Sequence, residues 1–181
     1  VSNEPEVVWT KLFGSSGNDQ SRGISIDNDG FIYITGTTHG DLDGHTYTRK
    51  YPNNNETFVS KFNSEGERQW SKFLVPSSSI RTVQAYDVKT AADGSIYISG
   101  TSYGDLDGQI NEYDSADAFI SKFNSDGSKA WTRLLGGGNS DAAWASSLGI
   151  DGSIYIAGLT AASSFERDLD GLTHNGGTDA F

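Results

Sequence analysis

The sequence predicts an all-β chain of three tandem four-stranded antiparallel units, and three recurrences predict it. A tryptophan returns at Trp9, Trp70 and Trp131, and an Ile-Tyr-Ile triplet at Ile32–Ile34, Ile96–Ile98 and Ile154–Ile156. An Asp-Leu-Asp-Gly tetrad returns at Asp41–Gly44, Asp105–Gly108 and Asp168–Gly171. A regular period of about 60 residues is the signature of one supersecondary unit copied in tandem. The units run approximately over 7–63, 64–124 and 125–181 as one repeat array. Function then lies in what the copies share and where they differ.

Each element follows from local pattern. Val7-Val8-Trp9 opens the chain as an extended segment. Gly23–Ile26 leads through Asp27-Asn28-Asp29-Gly30 into Phe31–Thr37, two apolar, β-branched runs joined by a turn. Phe58–Phe62, the turn Asn63–Gly66 and Trp70–Leu74 form the second pair. The next copy repeats both pairs, as Val88–Thr90 with Ser95–Thr101 and Ala118–Phe123 with Ala130–Leu135, joined through Asp93-Gly94 and Asn124–Gly127. The last copy gives Ser146–Ile150, Asp151-Gly152 and Ser153–Thr160, then Asp179-Ala180-Phe181. Asp-Gly supplies the positive φ of a hairpin turn, the runs alternate with a period of two, and no stripe of period 3.6 occurs. Four antiparallel strands per unit describe a β-propeller blade. A stacked β-solenoid fits less well, since its coils are shorter and need no Asp-Gly hairpins.

The chain opens on the Trp strand and stops inside the strand that should pair with one, which leaves an edge at each end. Propellers close with about four to eight blades. Three blades are therefore expected to be part of a larger propeller, or a half-ring that joins a second copy head to tail. With no Met at position 1, the chain reads as a processed product or a piece of something longer.

Composition narrows the function. Thirteen basic residues face 24 acidic ones, a net charge of −11, which repels nucleic acid and anionic lipid and favours cations. No apolar run approaches the roughly 18 residues that span a bilayer. Zero cysteines exclude disulfides and thiolate metal sites.

The tetrads are the main site candidates. Asp41 and Asp43, Asp105 and Asp107, and Asp168 and Asp170 pair two carboxylates ahead of a Gly that permits a sharp bend. Ca²⁺ takes six to eight oxygens, roughly, and a further acid (Glu56, Asp117 or Asp179) stands two residues before the next Phe, placed to close each loop onto the ion. The plainer reading makes each tetrad a turn whose first Asp caps backbone N–H groups. Aligning the hairpins puts Arg22, Tyr86 and Trp144 at one variable position, a candidate ligand-facing surface. Trp9, Trp70 and Trp131 read as packing between blades. His39, His45 and His174 do not recur in register, no Gly-x-Ser-x-Gly context accompanies them, and acids duplicated in every copy read as scaffold or metal rather than an active site built once.

The run Trp-x-x-x-(Leu/Phe)-Gly, then Asp-Gly-x-Ile-Tyr-Ile-x-Gly-x-Thr, then Asp-Ala-Phe-Ile-Ser-Lys-Phe-Asn-x-x-Gly-x-x-Trp resembles the bacterial SBBP-type β-propeller repeat, over Trp9 to Phe181. The resemblance implies a propeller and an extracellular or cell-surface protein; it implies no chemistry. The expected role is a non-catalytic, calcium-stabilised scaffold for adhesion or protein–protein contact, with protein or glycan partners and further blades from a parent chain or a second copy. The alternative is a carbohydrate-binding or carbohydrate-cleaving propeller.

Overall fold

The computed structural model describes residues 6–48, 54–78, 81–111, 115–162 and 177–181, and every regular element among them is a strand. The first sheet holds β1 (Asp19–Ile26), β2 (Ile32–Thr38), β3 (Glu56–Phe62) and β4 (Arg68–Leu74) in that order. The second repeats it with β5 (Val83–Thr90), β6 (Ile96–Ser102), β7 (Asp117–Phe123) and β8 (Lys129–Leu135). The third holds β9 (Asp141–Leu148), β10 (Ile154–Ala162) and β11 (Gly177–Ala180). All neighbours pair antiparallel, and the sheets do not close a ring among the described residues.

The sheets are phased one strand later than the sequence units. The Trp strand that opens the 64–124 unit is β4, the outer edge of the first sheet, because the Asn63–Gly66 turn folds it back onto β3. Val7–Trp9, expected as a strand, joins no ladder. What faces it is not a strand edge but the β3–β4 turn, whose Ser64 carbonyl accepts the Trp9 indole N–H at 2.9 Å.

The strand-joining turns have one construction. Gly30, Gly66, Gly94, Gly127 and Gly152 take φ between +71° and +83°, and each donates its N–H to the carbonyl three residues back. This is a type I turn with a glycine bulge, which needs one left-handed residue.

Blades stack through their inner strands: β5 packs on β1, β2 and β3, and β9 on β5, β6 and β7. The core between the first two sheets contains Tyr33, Val59, Leu74, Val83, Val88, Ile98 and Phe119, all at or near zero exposure. Hydroxyls tie the layers together. Thr57 donates to the Val83 carbonyl at 2.9 Å and accepts the Ala85 N–H at 3.0 Å, and Thr101 donates to the Asp141 carbonyl at 2.9 Å. Each bond satisfies a polar group that burial would otherwise strand.

Candidate functional site

The variable position of the repeat is a β-bulge. Strand pairing skips Arg22 between Ser21 and Gly23, Tyr86 between Ala85 and Asp87, and Trp144 between Ala143 and Ala145. A bulge leaves one residue unpaired and re-aims its side chain. The partner strand makes room for it with glycine. A Cβ on Gly36, Gly100 or Gly158 would fall on the carbonyl oxygen of Gln20, Gln84 or Ala142. The strand interior that reads Ile-Tyr-Ile-x-Gly is thus the sequence mark of the bulge opposite, a signal that the recurrence itself carries.

The bulges occupy the inner strands of successive blades, so the three positions form one row along the stack, and the first two side chains meet. The Arg22 guanidinium lies 5.1 Å from the centre of the Tyr86 ring, a cation–π contact. Burial pushes the Tyr86 phenol up, against the downward pull of Arg22, and its hydroxyl donates to Gln84 Oε1 at 3.2 Å. Trp144 is 53% exposed, a large apolar ring held out by the bulge. The constant glycine with a variable, outward residue gives a scaffold that carries a different group in each copy.

The two described tetrads are tight hairpins. Leu42 and His45, and likewise Leu106 and Gln109, exchange both backbone hydrogen bonds at 2.9–3.1 Å. The two residues between them are left-handed, Asp43 at φ +56° with Gly44 at +79° and Asp107 at +53° with Gly108 at +79°. That is a type I′ turn, for which Asp-Gly is a favoured pair. The Leu between the acids is buried in both loops. Asp41 Oδ1 accepts the Tyr47 N–H at 2.7 Å, and Asp105 Oδ1 accepts the Asn111 N–H at 2.9 Å. The second acid is paired with a cation on the outer strand, Asp43 with Arg68 and Asp107 with Lys129, and the Thr132 hydroxyl donates to Asp107 at 2.6 Å. Asp168, Asp170 and His174 lie outside the described residues.

The additional acids take separate positions. Glu56 is fully buried opposite Thr38, and it closes the first loop through hydrogen bonds. Its Oε1 accepts the Thr48 N–H and hydroxyl at 3.0 and 2.8 Å, and its Oε2 lies 2.7 Å from His45 Nε2. Burial pushes this carboxyl up, but Thr48 and His45 together outweigh it and hold the group below the ordinary glutamate value. The His45 ring also stacks on Phe73 at 3.9 Å. This cluster belongs to one copy only, because Gln109 stands where His45 does. Asp117 is buried opposite Ser102, and Asp179 is half-buried opposite Thr160. Among the described residues, no three His, Asp or Glu side chains gather as they would around one metal ion.

Other acids serve the frame. Asp87 accepts the Ser146 N–H and hydroxyl, both at 2.8 Å, across the blade boundary, and Lys89 flanks it at 2.7 Å. An open cleft of about 480 Å³ lies between the β5–β6 and β9–β10 turns. Its two carboxylates, Asp93 and Asp151, each accept the N–H and hydroxyl of the Ser two residues on, which holds them below the usual carboxylate range. His39 Nδ1 lies 2.8 Å from the Asn18 carbonyl oxygen.

Comparison with known proteins places this geometry. The family model of the SBBP β-propeller repeat matches residues 8–43, from the Trp segment into the first tetrad hairpin. A curated relative, the regulatory protein FlaEY of Caulobacter vibrioides, is 28% identical over 162 residues. That match covers 84% of this chain and 16% of the relative, so the chain spans about one sixth of that protein's length.

Proposed function

For a chain carrying the SBBP β-propeller repeat, we propose the role of a non-catalytic propeller scaffold whose inner-strand bulges present Arg22, Tyr86 and Trp144 to a protein or glycan partner. One observation carries this reading: three copies hold the bulge and its facing glycine constant while the outward residue changes from guanidinium to phenol to indole. Aromatic and arginine side chains are those that dominate contact energy at binding surfaces. The proposed site of work is outside the cell or at its surface, a reading that the resemblance to the SBBP-type repeat supports. The relative matched over most of this chain is named for regulation rather than for a reaction, which accords with binding.

The test is a saccharide array and a pull-down, each run with the wild-type chain and with Trp144→Ala and Arg22→Ala. Loss of a captured partner in either variant, with the far-ultraviolet circular dichroism unchanged, supports the row as the contact surface. Capture indifferent to both substitutions refutes it. Turnover of a captured glycan would bring forward the carbohydrate-cleaving alternative. The bracing of the tetrad loops is assigned to their own turn bonds and ion pairs. Calcium is the rival brace, and chelation separates the two.

A further inference from the structure

Each blade shows one face to the blade before it and one to the blade after, and equivalent residues reveal which faces are covered. Tyr33 and Tyr97 sit at the same point of the Ile-Tyr-Ile strand, on the face toward the following blade, and are 0% and 7% exposed. Tyr155, their counterpart in the third sheet, is 61% exposed. On the opposite face, Val88 and Ser146 pack toward the preceding blade at 0% and 8%, whereas their counterpart Ile24 is 64% exposed. Ile26, one strand period further on, is 62% exposed.

The Trp9 segment supplies a second, independent mark. At the stacked pair of blades, Trp70 meets the Tyr33 ring of its own blade edge-on at 6.0 Å and lies over the next blade's turn. There a Cβ on Gly127 would stand 3.1 Å from Trp70 and 2.8 Å from Lys72. Trp9 repeats half of this arrangement, since a Cβ on Gly66 would stand 3.2 Å from both Trp9 and Lys11. Trp9 thus lies on the first blade as the outer strand of a preceding blade would. Among the described residues Trp9 makes no ring contact with a tyrosine, and Tyr155, a tyrosine of that kind, makes none with a tryptophan.

We propose that the free face of the third blade, centred on Tyr155, docks on the free face of the first blade, Ile24, Ile26 and the Trp9 segment, in a second copy of this chain. The contact continues the two blade interfaces already present within the chain, with equivalent positions facing each other. It is heterologous, so a rotation that closes yields a ring of two copies. Like net charges of −11 oppose the approach of two copies, so a contact held by apolar faces tightens as salt rises.

Sedimentation velocity of the chain over a range of concentrations, at low and high salt, tests this. The expected species has twice the 19.4 kDa chain mass and grows with concentration and salt. Tyr155→Lys and Ile24→Lys each change an exposed residue, so each is expected to keep its circular dichroism spectrum and to sediment as monomer. An equimolar mixture of the two variants retains one intact pair of faces and is expected to recover dimer. A wild-type chain that stays monomeric throughout overturns the proposal, as does a dimer that survives either substitution. A mixture that stays monomeric overturns the head-to-tail geometry.

Discussion

Leu106→Ala isolates what the Asp-Leu-Asp-Gly tetrad does. Leu106 is fully buried and joins the core formed by the first two sheets, while the backbone beside it closes a type I′ turn. Removing its branched end takes away about three methylene equivalents, at about 0.8 kcal/mol each. The cavity left behind adds to that, and buried Leu→Ala changes together cost about 2–5 kcal/mol. For a chain of this size, each kcal/mol shifts Tm by about 2–4 °C. Taking about 3 kcal/mol, the expected fall in Tm is roughly 6–12 °C, followed by circular dichroism, with a matching fall in the urea midpoint at unchanged slope. Asp107→Asn keeps the shape, the turn and the Thr132 contact, and removes only a partly exposed ion pair, for which about 0–1 kcal/mol is expected. If Asp107→Asn costs as much as Leu106→Ala, the acid rather than the buried leucine is the reason for the tetrad, and its assignment as a core-anchored turn fails.

Further outcomes follow from the same geometry. Gly100→Ala puts a methyl group onto the Gln84 carbonyl and the Phe119 ring and is expected to cost more than about 3 kcal/mol by urea denaturation; a near-neutral result would show that the bulge relaxes. Trp144→Ala, at an exposed bulge, is expected to change stability by less than about 0.5 kcal/mol in the same assay. The Glu56 carboxyl is held below its unfolded value, so its contribution is present above that value and is lost as pH falls through the lower folded one. Wild-type Tm should therefore fall toward Glu56→Gln below about pH 4.3, and parallel Tm curves from pH 7 to pH 3 would contradict this. EDTA is expected to leave Tm unchanged, whereas a rise of several degrees on adding Ca²⁺, with bound metal in the purified protein, would assign the loops to calcium.

The strands are legible because a half-buried strand alternates and a repeat shows the alternation three times. The halves that escape are Asp19–Arg22, Val83–Asp87 and Asp141–Ala145, where the bulge at Arg22, Tyr86 or Trp144 puts one extra residue into the count and breaks the period. Arg22, Tyr86 and Trp144 are visible as a variable position, but their being unpaired depends on strand register, which sequence does not print. The tetrads are visible as acid pairs. Their directions are not: the first acid turns to a nearby loop N–H, Tyr47 or Asn111, and the second to a cation on the outer strand, Arg68 or Lys129, which is distant in number. The His45–Glu56 contact ties the β2–β3 loop to the first residue of β3, and only the buried place of Glu56 opposite Thr38 gives it meaning.

The single glycine facing each bulge also governs how freely the residue at the bulge can change. Gly36, Gly100 and Gly158 absorb the steric demand of the bulge on the strand next door, so the residue at the bulge carries almost none of it. Arg, Tyr and Trp differ widely in volume, charge and β propensity, yet they occupy the same point of the same strand. A lineage is free to rewrite that one residue blade by blade without disturbing the stack, so surface chemistry and stability can be varied almost separately. A long row of such blades would act as a string of sites, each of which can be exchanged while the frame stays as it is.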